Sequence, residues 1–146
     1  MILSTSYLPP IWYLNKVNNS NSFQIDLLEH FVKQTIRNRC HILSPNGIQS
    51  LIIPVVHQNR TITPVKDIRI SNDHQWQRQH WRSLNSCYRR SAYFEFYMDD
   101  LAPFYHEKFE FLHDFNTRLL TLILDALKMK NQFSFTSSYE KPGGDL

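Results

Sequence analysis

Residues 2–27, ILSTSYLPPIWYLNKVNNSNSFQIDL, are the most informative part of the sequence for predicting the fold. Its apolar start, Ile2–Thr5, is typical of a buried strand, and a proline pair then opens a helix where the missing N–H of proline is not needed. Apolar residues at a spacing of three predict that helix over Pro10–Val17, and alternation predicts a second strand over Phe23–Leu27. Strands joined through a helix in this way usually pair in parallel by a right-handed crossover.

The next informative segment is Lys33–Leu43, KQTIRNRCHIL, which alternates with a period of two. In an extended chain that period places apolar groups on one face of a sheet and mostly cationic groups on the other: Lys33, Thr35, Arg37, Arg39 and His41. Asn46-Gly47 then predicts a tight hairpin. The returning strand, Ile48–Val56, is apolar at both parities, so we expect it between two covered faces and ending near Pro54.

Helical periodicity replaces strand periodicity after Asp73, which can cap a helix over His74–Arg90. The aromatic and acidic stretch Tyr93–Tyr105 is broken by Pro103 and predicts one or two helical turns. The longest predicted helix is Lys108–Lys130, whose apolar residues recur along one face.

The elements together predict an α/β fold, with one domain over residues 1–141 and a flexible tail at 142–146. A small mixed sheet contains the N-terminal strand–loop–helix–strand unit and the hairpin, and the C-terminal helices cover it. Ile62–Ile70 and Phe133–Phe135 are weaker strand candidates. By analogy of fold alone with nucleotide-binding α/β proteins, a ligand is expected at the carboxyl end of the first strand.

The 146 residues carry a formal net charge of +3, and that charge is polarised along the chain. Residues 30–94 hold ten basic and two acidic side chains, whereas residues 95–127 hold two basic and seven acidic ones. Such a chain can present a cationic surface to anions, or its two blocks can neutralise each other on folding. No apolar run reaches the roughly twenty residues of a bilayer span, and the two cysteines fit a reducing compartment, so we expect a cytoplasmic protein without disulfides.

The leading candidate site is the cationic row with a neighbouring amide, proposed to bind substrate: Lys33, Arg37, Asn38 and Arg39. Arginine binds phosphate or carboxylate through two parallel hydrogen bonds, so several on one face favour an anionic ligand. The alternative is that these cations pair with acids of the same chain, such as Asp26 or Glu29.

Other chemistry-bearing residues favour structural roles. His80 stands beside tryptophans and is expected to be half-buried and hydrogen-bonded, and the histidine spacings do not suit a metal ion, so no metal or cofactor is expected. Cys40 and Cys87 are interpreted as buried thiols. Asn116 lies in the apolar stripe of the last helix and needs polar partners. The sequence contains no glycine-rich phosphate loop and no catalytic signature.

Several motifs together resemble the WbqC family. Ser6–Tyr13 resembles the family's N-terminal motif, a tyrosine and proline cluster followed by an aromatic helix, and Lys33–Cys40 resembles its central Lys…Arg-Asn-Arg stretch. Asn46-Gly47 followed by Ile53–Val55 matches its hairpin and strand-ending proline. The likeness continues through the helical half at Trp76, His80, Trp81, Tyr88, Phe94 and Tyr97.

The resemblance implies a place in bacterial surface-polysaccharide biosynthesis, that of the lipopolysaccharide O-antigen, and a suggested glycine- or aminoacyl-transferase activity, without family-wide catalytic residues. Many members carry a pair of acids before the lysine, where this chain has only Asp26 and Glu29 nearby. Members also run on past a segment like Phe133–Lys141 into a further C-terminal portion. The resemblance therefore implies a shortened copy of the family's chain.

Two functional hypotheses follow from these patterns. In the first, a group-transfer enzyme binds an anionic substrate, nucleotide-linked or activated acyl, between Ser6–Tyr13 and Arg37–Arg39; Tyr13 lines the cleft, and Tyr7 and His80 are the candidate catalytic residues. In the second, a non-catalytic module uses its basic face to bind an acidic protein, a carrier or nucleic acid. Nucleic acid is disfavoured because exposed aromatic residues do not interleave with the basic block. The sequence does not indicate an oligomeric state.

Overall fold

The computed structural model describes residues 1–57, 62–92, 94–129 and 132–137. The strands are β1 (Ile2–Ser4), β2 (Phe23–Asp26), β3 (Arg39–Ser44), β4 (Gly47–Ile52) and β5 (Phe133–Phe135). The helices are α1 (Ile11–Asn18), α2 (Trp76–Tyr88), α3 (Phe94–His106) and α4 (Leu112–Ala126), and a short 3-10 helix covers Val65–Asp67.

The N-terminal strand–helix–strand unit forms as predicted. β1 and β2 pair in parallel around α1, with Leu3 opposite Ile25. β5 pairs in parallel with the other edge of β2, where Phe135 lies opposite Ile25, so the strand order is β1-β2-β5. β3 and β4 form a separate antiparallel hairpin that closes at Gly47, whose φ of +113° suits a residue without a Cβ. These elements confirm the α/β class, the hairpin and the last strand.

The extended conformation predicted for the cationic row is wrong over residues 33–38, which form turns. Gln34 has a φ of +56°, and its N–H donates to Asn38 Oδ1 at 3.2 Å. The N–H groups of Asn38 and Arg39 both donate to the Thr35 carbonyl, at 3.1 and 2.9 Å. Local hydrogen bonds therefore outweigh the period-two pattern, and only the part of the row from Arg39 onward lies in a strand.

The hairpin is covered on one face only, so the prediction that its second strand lies between two covered faces is wrong. Leu51 is buried, whereas Ile48 and Ile52 are 78% and 40% exposed. The covered face packs on α2, where Gln49 Nε2 donates to Ser83 Oγ at 2.9 Å. No described element lies against the outer face closely enough to bury its isoleucines.

The strand predicted for Ile62–Ile70 is also wrong. The segment holds the 3-10 helix flanked by isolated bridges. Its Val65 and Lys66 N–H groups donate at 2.9 Å to the carbonyls of Glu29 and Leu27, so the chain folds back onto the end of β2.

The helices differ from their predictions mainly at their ends. α2 starts at Trp76 without a side-chain cap, so Asp73 does not cap it. α3 is one helix of 13 residues that contains Pro103, which corrects the prediction of one or two turns. Packing of its inner side, including buried Tyr105, on the core offsets a proline cost of about 3 kcal/mol. α4 is shorter than predicted, and Lys130 lies outside the described residues.

α4 joins two hydrophobic clusters. Leu112, Phe115 and Leu119 belong to the cluster formed with the hairpin, α2 and α3, and Leu120 and Leu124 belong to the cluster formed with β1, α1 and β2. None of the described helices is long and apolar enough to cross a bilayer. The predicted tail lies outside the described residues, and the single-domain organisation stays a prediction.

Candidate functional site

Buried polar side chains gather at the carboxyl edge of the parallel strands. β1 leads directly into a buried run of small hydroxyl residues, and β2 leads into two buried carboxylates: Ser4, Thr5, Ser6, Asp26 and Glu29. Because β1 and β2 run in parallel, these residues share one edge of the sheet, and that edge is where open α/β sheets bind ligands. A buried carboxylate needs hydrogen bonds or a cation, so the partners of these groups decide what the edge can do.

Arg37 is the cation that reaches this edge. Its Nε donates to Glu29 Oε1 at 2.8 Å, and its Nη2 donates to Ser4 Oγ at 3.2 Å. Ser4 Oγ in turn donates to Glu29 Oε2 at 3.1 Å, which closes a ring of three side chains. The side chains of Arg37 and Glu29 are only 16% and 6% exposed. The pairing with Glu29, which the sequence left open as the alternative to ligand binding, is therefore present.

The loop 33–38 is fixed to the sheet edge and to α4 by backbone hydrogen bonds. The Tyr7 N–H donates to the Ile36 carbonyl at 2.8 Å. Asn116 Nδ2 donates to the Arg37 carbonyl at 2.8 Å and to Thr5 Oγ1 at 3.1 Å, which confirms that this buried amide has polar partners. The loop is therefore held by groups from two other parts of the fold, the segment after β1 and α4.

The other residues predicted to bind substrate lie at different depths. Lys33 is exposed in the turn, and Arg39 is half-buried at the start of β3. Asn38 is buried, and its Nδ2 donates to the Ile53 carbonyl at 3.1 Å. Tyr13 is buried and donates to the Ser4 carbonyl at 2.7 Å, and burial together with the Glu29 charge raises its pKa. Lys33 and Arg39 are thus the more accessible members of the set.

Tyr7 and His80 do come together, in a buried chain of hydrogen bonds. His80 Nε2 lies 3.0 Å from the Ile52 carbonyl, which can only accept, so Nε2 carries the proton. His80 Nδ1 therefore accepts from the Tyr7 hydroxyl at 3.0 Å, and the Tyr7 oxygen accepts from the Tyr105 hydroxyl at 2.9 Å. These hydrogen bonds all point in one direction, from Tyr105 through Tyr7 and His80 to the hairpin.

Burial sets the protonation of this chain. Desolvation lowers the pKa of His80 to about 4, so the ring is neutral at pH 7. Burial also raises the pKa of Tyr7 and of Tyr105, which keeps both hydroxyls protonated. The prediction of a hydrogen-bonded histidine is confirmed, and the ring is more deeply buried than expected, at 5% exposure.

The two thiols differ, which partly corrects the interpretation of both as buried. Cys40 is buried, and that burial raises its pKa to about 12. Cys87 is only partly buried. Within the described ranges, no group of three or more His, Cys, Asp and Glu side chains is placed to hold a metal ion.

Sequence reasoning missed the contributions of Ser4 and Tyr105. Ser4 belongs to a strand whose apolar neighbours dominate the pattern, and Tyr105 lies 98 positions from Tyr7. The small hydroxyl run Ser4–Ser6 at the end of the first strand was the available signal for a polar edge. No comparable signal in the sequence marks Tyr105.

The protein is therefore an α/β protein in which buried polar side chains at the carboxyl end of the first strand bind Arg37. The family model of the WbqC-like protein family matches residues 5–146, and the chain belongs to this family.

An uncharacterized protein of Mycobacterium tuberculosis (strain ATCC 25618 / H37Rv), Rv1507c, is similar to this chain, with 28% identity over 144 residues. The match covers 98% of this chain and 62% of that protein, so this chain spans about three fifths of the relative's length. No solved structure gives a significant match.

Proposed function

We propose that this chain is a cytoplasmic group-transfer protein of bacterial O-antigen or other surface-polysaccharide assembly, which transfers a glycine or other aminoacyl group. In such a transfer the bond between the acyl carbon and the donor's leaving group breaks, a bond from that carbon to the acceptor forms, and the acceptor's proton goes to the leaving group. The family resemblance is the support for this reaction class. The cations Lys33, Arg37 and Arg39 favour an anionic substrate, and the proposal names a nucleotide-linked or activated acyl compound as that substrate.

The observation that carries the proposal is the position of the loop 33–38 at the carboxyl edge of β1. Arg37 has five N–H donors, and three of them are used by described residues: Glu29, Ser4 and Thr35. Two donors remain on a guanidinium that is still partly exposed. Lys33 begins this loop and is exposed, and Arg39 follows it and is half-buried, so these are the cations that we propose to bind an anion beside Arg37.

Tyr7 and His80 enter this proposal as positioning residues. Tyr7 is 0% exposed and His80 is 5% exposed, and each is hydrogen-bonded within the buried chain. Tyr7 follows the hydroxyl run of the edge, and its N–H fixes the loop at Ile36. The pair therefore helps to fix the position of the loop relative to the strand edge.

The test is calorimetric binding of two probes, glycyl-sulfamoyl adenosine as an activated acyl compound and uridine diphosphate as a nucleotide. The double variant Lys33→Ala/Arg39→Ala removes the accessible cations and leaves the buried pair of Arg37 intact. We expect at least a tenfold loss of affinity for the probe that binds, since one charge-assisted hydrogen bond contributes about 1.5 kcal/mol or more. Arg69→Ala, on an exposed arginine paired with Glu110, is the control. Absence of binding by both probes, or equal binding by the double variant, would overturn the proposal.

A second candidate function, a non-catalytic module that binds an acidic partner, is favoured by one observation. α2 carries no acidic residue, and its arginines are exposed. Retention on a polyanion resin that falls steeply with salt would favour this function. Early elution together with tight binding of a small probe would favour the transferase.

A further inference from the structure

A second basic cleft lies away from the strand edge, between the hairpin turn and the C-terminal half of α2. Its volume is about 810 Å³, within the range of about 300–1,000 Å³ that is typical of small-molecule sites. The residues that matter for its chemistry are Pro45, Trp81, Arg82, Asn85, Arg89 and Arg90. None of them belongs to the loop 33–38 or is Arg39, so this cleft is distinct from the site proposed above.

The cleft is lined by three exposed arginines. Arg82, Arg89 and Arg90 are exposed, and none of the three forms an ion pair with a residue that the structure describes. No aspartate or glutamate is among the described lining residues. Three positive charges on one wall of a concave surface concentrate anions there.

The walls of the cleft are held in place by contacts outside it. The Trp81 ring stacks on Tyr105 at 5.4 Å between centroids and meets His106 edge-on at 5.8 Å. Asn85 Nδ2 donates to the Trp81 carbonyl at 2.8 Å, which leaves the Asn85 side-chain oxygen as an acceptor. A fixed aromatic side chain and an amide oxygen next to exposed guanidinium groups form a preorganised polar site.

We propose that this cleft binds the phosphate groups of a diphosphate-bearing small molecule. Arginine presents a planar fork of N–H donors that matches phosphate oxygens. A single phosphate carries a charge of about −1.5 to −2, so three arginines exceed the charge of one phosphate and suit two linked phosphates. The cleft has room for a further group beyond the phosphates, next to Trp81 and Asn85.

The test is titration with inorganic pyrophosphate, followed by calorimetry. Arg82→Ala/Arg89→Ala should weaken binding at least tenfold and leave the fold unchanged, because neither side chain contacts a described residue by hydrogen bond or ion pair. The control Arg78→Ala/Arg118→Ala removes the same charge from exposed arginines outside the cleft, and we expect an affinity within twofold of the unmodified chain. Equal weakening in both double variants would overturn the proposal, because it would show attraction by net charge alone.

Cys87 provides a second measurement, because it is a partly buried thiol of the cleft, whereas Cys40 is buried in the core. Pyrophosphate should slow alkylation of Cys87 by iodoacetamide at least fivefold, measured by mass spectrometry, with Cys87→Ser as the control for the labelled site. An unchanged rate at saturating pyrophosphate would contradict the proposal.

If Lys33→Ala/Arg39→Ala abolishes pyrophosphate binding and the cleft variant does not, the cleft proposal fails and the loop proposal stands. If the cleft variant abolishes pyrophosphate binding and Lys33→Ala/Arg39→Ala does not, pyrophosphate binds in the cleft and not at the loop.

Discussion

The arginine of the loop 33–38 and the arginines at the end of α2 come from one basic block of sequence, yet they differ in what surrounds them. Arg37 is 16% exposed and bound to Glu29, whose side chain is 6% exposed. Arg82 and Arg89 are exposed and form no ion pair within the described ranges. A carboxylate from another part of the chain therefore decides whether an arginine stabilises the fold or remains available to a ligand. The charge pattern alone does not separate the two cases.

The largest expected effect comes from removing the buried cation. Arg37→Met keeps much of the side-chain length and leaves Glu29 as an uncompensated buried charge, so we expect a loss of about 3–5 kcal/mol in the free energy of unfolding. Arg89→Met, which removes an exposed arginine, should change that free energy by no more than about 0.5 kcal/mol. Urea unfolding monitored by circular dichroism measures both values.

The double variant Glu29→Gln/Arg37→Met keeps this prediction testable if the single variant does not fold. With both charges removed, no uncompensated ion is left, and the double variant should be more stable than Arg37→Met. A double variant that is less stable than the single one would contradict the account, because it would mean that Glu29 does not depend on Arg37.

The N-terminal unit could be predicted because its signals are local. The apolar strand Ile2–Ser4, the helix after the proline pair and the alternating strand Phe23–Asp26 each follow from their own residues, and their parallel pairing follows from the connection. The turns at 33–38 could not be predicted this way. Local hydrogen bonds to Thr35 and Asn38 form them, and partners distant in sequence hold them in place, since Asn116 donates to the Arg37 carbonyl and Asn38 donates to the Ile53 carbonyl.

The candidate site was predictable in composition but not in geometry. Arg37 and Glu29 were both identified from the sequence, and their pairing was one of two open alternatives that only a tertiary structure separates. The residues 33–43 alternate by type, but hydrogen bonds to Thr35 and Asn38 form turns in the first half, so the alternation does not place Lys33 and Arg37 on a strand face. A sequence shows which residue types could form a site, whereas it does not show the direction in which each side chain points.

The second prediction extends the comparison to buried groups without charge. Tyr7→Phe leaves two partners unsatisfied, His80 Nδ1 and the Tyr105 hydroxyl, so we expect a loss of about 2–4 kcal/mol in unfolding free energy. Tyr105→Phe removes only the terminal donor and should cost about 1 kcal/mol. Tyr97→Phe, whose hydroxyl makes no hydrogen bond to a described residue, is the matched control and should lie within about 0.5 kcal/mol of the unmodified chain. Equal costs for Tyr7 and Tyr105 would show that the hydrogen bonds do not run from Tyr105 through Tyr7 to His80.

The smallest of these effects concerns His80, which lies on the inner face of α2, a helix with exposed arginines on its outer face and at its C-terminal end. Burial lowers its pKa to about 4 in the folded chain, whereas an unfolded histidine has a pKa of about 6.5. Between these values the unfolded chain binds more protons, so stability is fully present above pH 6.5 and is lost as the pH falls toward 4. Tyr7, which stacks on the His80 ring, and Tyr105, which is hydrogen-bonded to Tyr7, stay neutral throughout because burial raises the pKa of each.

Between pH 7 and pH 5 the unmodified chain should therefore lose about 2 kcal/mol more unfolding free energy than His80→Gln, in which this titration is absent. Urea unfolding at the two pH values gives the difference, and subtracting the variant removes the contributions of other titrating groups. Nuclear magnetic resonance of the His80 ring protons in the unmodified chain answers the same question when the variant folds poorly. A ring that titrates near pH 6.5 would show that the inner face of α2 is open to water, and the contrast between the buried and the exposed face of that helix would be lost.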